Sequence, residues 1–232
     1  MPKIFAISDL HLSFSADKPM DVFGEKWKGY EERLAQNWNS VVGKDDFVLM
    51  PGDSSWATYL EDAKEDFSYI ENLNGTKIIS KGNHDYWWET MSKLSGFLAE
   101  NNFSTIKFLH NTVEKIGDFA VCGCKGYPET ESEPNNEEEK KLYNRELSRL
   151  KNGILKAKEL GTDRIIVMLH YPPGENTEFA RVLREEKVDI CVFGHIHGDY
   201  FKGVTMGDVG GCMCRLVSCD YLKFMPYLIG EF

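Results

Sequence analysis

The chain has 232 residues, 42% of them apolar and 12% aromatic, which is enough to bury one substantial core and excludes a mainly disordered state. Its 27 basic and 37 acidic residues give a formal net charge of -10, which disfavours an extended nucleic-acid surface, so a phosphate ligand has to be attracted locally. No apolar run approaches the ~20 residues of a membrane-spanning helix, and Ile4 to Ile7 is stopped at once by Ser8-Asp9. The expectation is a cytoplasmic protein with no membrane partner, folded as a single domain over residues 1–232.

Apolar runs of strand length occur at Lys3 to Ser8, Phe47 to Met50, Lys77 to Ser80, Ile165 to Leu169 and Ile190 to Phe193. Between them, helix-like stretches run near Tyr30 to Val42, Leu60 to Leu73, Thr90 to Asn101, Glu137 to Leu160 and Thr177 to Glu186. This alternation predicts an α/β layered domain. Thr105 to Leu109, Thr112 to Ile116 and Phe119 to Gly123 are broken by Asn111 and Gly117-Asp118, which predicts a β-meander or hairpin within a mixed sheet. The acidic run from Pro128 to Lys141 reads as a solvated loop leading into an exposed helix, and the tail from Gly203 to Phe232 as closing strands. The six cysteines form no Cys-x-x-Cys pair and read as small buried hydrophobes.

Each of the five clearest strands runs into residues that bind metal: Asp9-Leu10-His11, Gly52-Asp53, Gly82-Asn83-His84-Asp85, His170-Tyr171-Pro172-Pro173 and Gly194-His195-Ile196-His197. In open α/β sheets the carboxyl ends of the strands converge on one crevice, so residues distant in sequence meet there. Only His110, of the six histidines, lies outside these segments. In extended chain residues two apart point the same way, so Asp9 with His11, and His195 with His197, are expected to reach a common centre while Leu10 and Ile196 face the core. Gly52, Gly82 and Gly194 are expected to allow sharp turns or close backbone approach beside the ligands.

Together these motifs resemble those of the calcineurin-like metallophosphoesterases over Asp9 to His197, most of the chain. The resemblance implies a four-layered α/β/β/α sandwich with mixed β-sheets and an active site at the carboxyl ends of the strands. It also implies a dinuclear centre in which Asp9, His11 and His197 hold one divalent metal, Asn83, His170 and His195 hold the other, and Asp53 bridges both. His84 is then not a ligand but the general acid or electrostatic partner of the leaving oxygen. Two divalent ions against two carboxylates leave the site with a charge of about +2, a local attraction for phosphate in an acidic protein. Nitrogen and oxygen ligands without thiolate suit Mn, Fe, Zn, Co or Ni, and the resemblance favours manganese or iron with manganese.

Departures from the family narrow the substrate. Gly52-Asp53 is followed by Ser54-Ser55-Trp56, where similar protein phosphatases carry a further Asp and a phosphate-clamping Arg, so no carboxylate is evident to orient His84. Trp56 stands where purple acid phosphatases have a tyrosine ligand. Trp87 and Trp88 follow the Gly-Asn-His-Asp turn at once. Trp87 is the candidate wall against a nucleobase or another apolar leaving group, beside Asn83 and His84 as substrate contacts, although at least one of the two indoles is expected in the core. Phe14 to Trp27 and Glu129 to Glu139 are further candidates for the pocket border. The leading reading is hydrolysis of a small phosphodiester or phosphomonoester by direct attack of water. The alternatives are a catalytically inactive scaffold of the same fold, disfavoured by the full ligand set, and a nuclease, disfavoured by the charge. The sequence leaves the oligomeric state open.

Overall fold

The computed structural model describes residues 1–128, 134, 136–162 and 164–232. One sheet contains β1 (Lys3–Ala6), β2 (Phe47–Pro51), β3 (Thr76–Ser80), β4 (Ile106–Phe108) and β11 (Tyr227–Glu231), ordered β11-β1-β2-β3-β4, with β11 antiparallel to β1 and the other pairs parallel. The other contains β5 (Glu114–Ile116), β6 (Phe119–Cys124), β7 (Arg164–Leu169), β8 (Ile190–Phe193), β9 (Gly207–Val209) and β10 (Cys212–Leu216), ordered β5-β6-β7-β8-β10-β9 with antiparallel edges. The helices are α1 (Tyr30–Val41), α2 (Lys64–Asn72), α3 (Met91–Glu100), α4 (Glu137–Glu159) and α5 (Glu178–Glu185).

Strand periodicity explains the layering. On β1, Ile4 and Ala6 enter a core shared with Val121, Ile166, Met168 and Val192 of the second sheet, whereas Phe5 and Ile7 pack with Leu34 and Trp38 of α1 and Phe67 of α2. Alternate residues of β7, Ile165, Val167 and Leu169, face Leu150 and Ile154 of α4 and Val182 and Leu183 of α5. The result is helix, sheet, sheet, helix, with both sheets mixed, as the resemblance implies. Leu34 and Trp38, one helical turn apart, are fully buried, and each such burial contributes ~1.5–3 kcal/mol.

The central segment differs from a meander. β4 joins β3 in the first sheet and the chain then crosses, so that only β5 and β6 form the expected hairpin. Asn111, in left-handed conformation (φ 57°), sits at the crossing. The tail divides as well, β10 entering the second sheet and β11 the first. α4 begins after Asn136, whose side chain accepts the Glu139 amide at 2.9 Å, but its Leu150, Ile154 and Ala157 are buried, so it is amphipathic rather than wholly exposed. Of the acidic run, residues 129–133 and 135 lie outside the described residues. The six cysteines are free and buried, as expected.

The end of α2 is tied to β3 and β4. Lys77 Nζ donates to the Leu73 carbonyl at 2.7 Å and to Thr105 Oγ1 at 2.6 Å, while the Glu71 carboxylate accepts from Thr105 Oγ1 at 2.7 Å and from the Ser104 amide at 2.8 Å. Burial by itself raises the Glu71 pKa, and the hydrogen bonds from Thr105 and Ser104 outweigh it, leaving the carboxyl below its ordinary range.

Candidate metal centre

The loops that follow β1, β2, β3, β7 and β8 meet at one edge of the paired sheets. Ser8 N donates to the Val217 carbonyl at 2.8 Å, Asp9 N to Gly52 O at 3.0 Å and His11 N to Asp53 O at 3.0 Å, which continues the strand order past the end of β1. Here the reasoning from extended chain fails, although the residues it groups do converge. Asp9, His11, Asp53 and His195 have φ of 58°, 49°, 54° and 72°, the left-handed region that costs a non-glycine residue on the order of 1 kcal/mol or more. Such strain concentrated in one crevice marks a site whose side chains are aimed by the surrounding fold. Close packing enforces it: a Cβ on Gly82 would overlap Asp53 Oδ1, and one on Gly194 would overlap Asp9 Oδ2.

Two clusters result. Among the described residues, the groups of three or more His, Cys, Asp or Glu whose ligand atoms lie within 4.8 Å of one another are Asp9, His11 and His197, and Asp9, Asp53 and His170. His197 Nε2 is 3.3 Å from Asp9 Oδ1 and 3.4 Å from His11 Nε2. Asn83 Oδ1 faces His170 Nε2 at 2.6 Å and His195 Nδ1 at 2.9 Å. Asp9 belongs to both groups, and Asp53 Oδ2 lies 3.4 Å from His170 Nε2 and 3.9 Å from His11 Nε2. Convergent imidazole nitrogens and carboxylate oxygens without thiolate fit divalent transition metals. His11 Nδ1 is buried with no hydrogen-bond partner among the described residues, and the ring is stacked on Trp56 at 4.8 Å.

The electrostatics are those of buried charge. Burial raises the Asp9 pKa, but the hydrogen bond and charge of His197, with His170 and His11, reverse this and hold Asp9 well below the usual carboxylate range. Burial pushes Asp53 up to about 7, opposed by His170 and reinforced by Asp85 and Asp9. Burial lowers His11 to about 3 and His195 to about 4, leaving both imidazoles neutral, the form that coordinates metal, whereas His197, lowered by burial but raised more by its hydrogen bonds to Asp220 and Asp9, is pushed up to about 10 and has to release a proton to become a ligand.

Two carboxylates support this arrangement from behind. Asp85 accepts from Gly82 N at 2.7 Å, Asp53 N at 2.9 Å, Ser54 N at 2.9 Å and Trp87 Nε1 at 3.1 Å, stapling the loops after β2 and β3 together. Sequence reasoning leaves open which carboxylate orients His84. Asp85 is committed to these four donors, and His84 Nδ1 has no partner among the described residues. His84 donates its backbone N–H to Asp53 Oδ1 at 2.8 Å and packs its ring at 4.5 Å from Trp56. Sequence reasoning missed the second carboxylate, Asp220, which accepts the Nδ1–H of His197 at 2.9 Å, pairs with Lys26 Nζ at 2.6 Å and leaves His197 Nε2 pointing at Asp9. It lies past the end of β10 (Cys212–Leu216) and reaches the site because β10 is a parallel neighbour of β8, which the sequence alone does not signal.

Over His11, His84 and His197 opens a cleft of about 580 Å³ bordered by Met20, Phe23, Trp27, Trp56 and Tyr200. The segment Phe14 to Trp27 thus borders the site as expected. Trp87 does not: it is 0% exposed and packs against Phe67 at 4.9 Å, a core residue rather than a substrate wall. Ile196, expected in the core, is half-buried and lines the cleft, whereas Leu10 is fully buried as expected. Of Glu129 to Glu139, also expected at the border, residues 129–133 and 135 lie outside the described residues and the others do not line the cleft.

Among solved structures, the chain resembles a phosphopantetheinyl hydrolase from Mycobacterium tuberculosis (TM-score 0.57, 13% identity, covering 94% of this chain and 89% of that one). It also resembles a protein of unknown function from Aquifex aeolicus (TM-score 0.53, 14% identity, 98% and 96% covered). At these identities the likeness is one of fold. A curated relative, the uncharacterized protein MJ1445 of Methanocaldococcus jannaschii, is 31% identical over 114 residues, which span 48% of this chain and 60% of the relative's length. The profile described as calcineurin-like phosphoesterase matches residues 2–199, taking in the loops after β1, β2, β3, β7 and β8 but not the one that carries Asp220, and the chain belongs to that family.

Proposed function

We propose that the protein is a dinuclear metal-dependent hydrolase of small phosphate esters. Asp9, His11 and His197 would hold one ion and Asn83, His170 and His195 the other, with Asp53 between them. The observation that carries this reading is the position of Asp53 Oδ2, within 4 Å of an imidazole of each cluster, at 3.4 Å and 3.9 Å. Ligands come from both sheets, so residues 1–232 act as one catalytic domain. When bound, the two ions supply Lewis acidity toward the phosphoryl oxygens and the attacking water. The chain's own residues do the rest. Asp220 fixes the His197 ring, the half-buried imidazole of His84 would face the leaving oxygen at the cleft mouth, and the half-buried Trp56 would border an apolar ester group there.

The aromatic border favours an aryl or otherwise apolar leaving group on a phosphodiester or phosphomonoester, and Ser54-Ser55-Trp56 gives no arginine with which to clamp a phosphoprotein. The test compares manganese-loaded protein on bis(4-nitrophenyl) phosphate, 4-nitrophenyl phosphate and a phosphoserine peptide. The reading expects aryl diester turnover to exceed that of the peptide; efficient peptide dephosphorylation without diesterase activity refutes the substrate assignment. A scaffold would turn over none of the three.

A further inference from the structure

A second cavity, of about 430 Å³, opens beside the loops after β3 and β6. It is lined by Lys81, Lys125, Arg145 and Arg149, together with Glu146, Glu89, Ser80 and the Trp88 and His110 rings. Of the two carboxylates, Glu89 is paired with Lys93 at 2.9 Å. Glu146 is 2% exposed, and one of its oxygens, Oε1, holds both arginines, Arg149 at 2.6 Å and Arg145 at 3.5 Å. No ion pair holds Lys81 or Lys125 among the described residues. Cations therefore exceed carboxylates in this cavity, against a net charge of -10 for the chain. His110 registers that field: burial and then Arg149 lower its pKa, with Lys81 and Arg145 adding to the effect against Glu146.

Ser80 and Glu146 close the back of the cavity, 1% and 2% exposed. We propose that this cavity binds a phosphate-type oxyanion. The oxyanion sits among Lys81, Lys125 and Arg145. Its volume lies in the usual range for small-ligand sites. It also shares a wall with the candidate metal centre: Lys81 precedes Gly82-Asn83, and the Lys125 carbonyl accepts the His170 and Tyr171 amides at 3.1 and 3.0 Å. The ligand is either the distal end of the ester substrate or a free effector of the same chemistry.

The inference rests on the cavity and not on the dinuclear reading. The probe is ethylphosphonate, which has no ester bond to hydrolyse, titrated calorimetrically into wild type, Lys125→Met with Arg145→Met, and Arg145→Glu alone, each both metal-loaded and metal-free so that binding at the metal centre is separated from binding in the cavity. Both replaced side chains lie outside the metal centre. The expected result is a site present in wild type with and without metal that both variants weaken at least tenfold. Unchanged isotherms in both variants overturn the proposal. Kinetics then separate the sources. A substrate subsite raises KM at least tenfold only for diesters carrying a second phosphate, whereas for an effector site added phosphonate changes turnover of bis(4-nitrophenyl) phosphate in wild type and not in the variants.

Discussion

Asp85 offers a sharp test of how the crevice is held. Its carboxylate, fully buried, accepts three backbone amides and one indole N–H at 2.7 to 3.1 Å, three of them from the loops that carry Asp53 and Asn83. Replacement by alanine would leave four buried donors without an acceptor, at ~1–3 kcal/mol each. Allowing for relaxation and water entry, the expected loss is ~4–8 kcal/mol, a large part of the ~5–15 kcal/mol that a typical native fold possesses. Asp85→Asn keeps one acceptor oxygen but turns an NH2 toward donors, so its loss should be ~2–4 kcal/mol. The assay is equilibrium urea unfolding followed by tryptophan fluorescence. With slopes of ~1–3 kcal/mol per molar, Asp85→Asn should lower the midpoint by ~1 M or more. Should Asp85→Ala fail to fold, Asp85→Asn still supplies the reading. A loss below ~1 kcal/mol in either variant would refute the idea that this carboxylate staples the two loops.

Further expectations concern pH, catalysis and specificity. The Glu71 carboxyl is held below its ordinary range, so its contribution is complete above the unfolded-state pKa of ~4.3 and is lost as pH falls through the lower folded value. The stability gap between wild type and Glu71→Gln should therefore be widest near neutrality and close in acid; a gap that widens below pH 4 would contradict that sign. His84→Ala should keep its metal while losing ~10²- to 10⁴-fold in turnover, with the larger loss on alkyl than on nitrophenyl esters. An equal loss on both would assign His84 to phosphate positioning instead. Asp220→Asn should weaken metal binding or activity by ~10- to 100-fold because His197 loses the acceptor that fixes its ring, and unaltered metal affinity and rate would show that packing alone suffices. Trp56→Ala should raise KM for 4-nitrophenyl phosphate more than for methyl phosphate, whose leaving group has no ring, and equal changes would remove Trp56 from the leaving-group contact.

Much of this was legible in the sequence because strand periodicity and the polar residues after each strand are local signals. Ile190–Phe193 and the start of α1 at Tyr30 fall where the apolar pattern places them, and the five strand-end motifs do converge. What escaped depends on the third dimension. Asp220 matters because β10 lies beside β8, a pairing that no local pattern encodes. Trp87 and Trp88 are adjacent and chemically identical, yet the Asp85 staple draws the Trp87 indole N–H inward and leaves Trp88 beside the second cavity. The left-handed backbone at Asp9, His11, Asp53 and His195 is likewise imposed by the packed loops and not by residue type.

The central claim, two metal ions joined through Asp53, is tested most directly by elemental analysis of the purified, dialysed chain and its Asp53→Asn variant after identical manganese loading. The account predicts about two ions per wild-type chain, at most a fraction of one in the variant, and phosphodiesterase turnover that falls in step with metal content. Two tightly held ions and near-normal turnover in Asp53→Asn would contradict it.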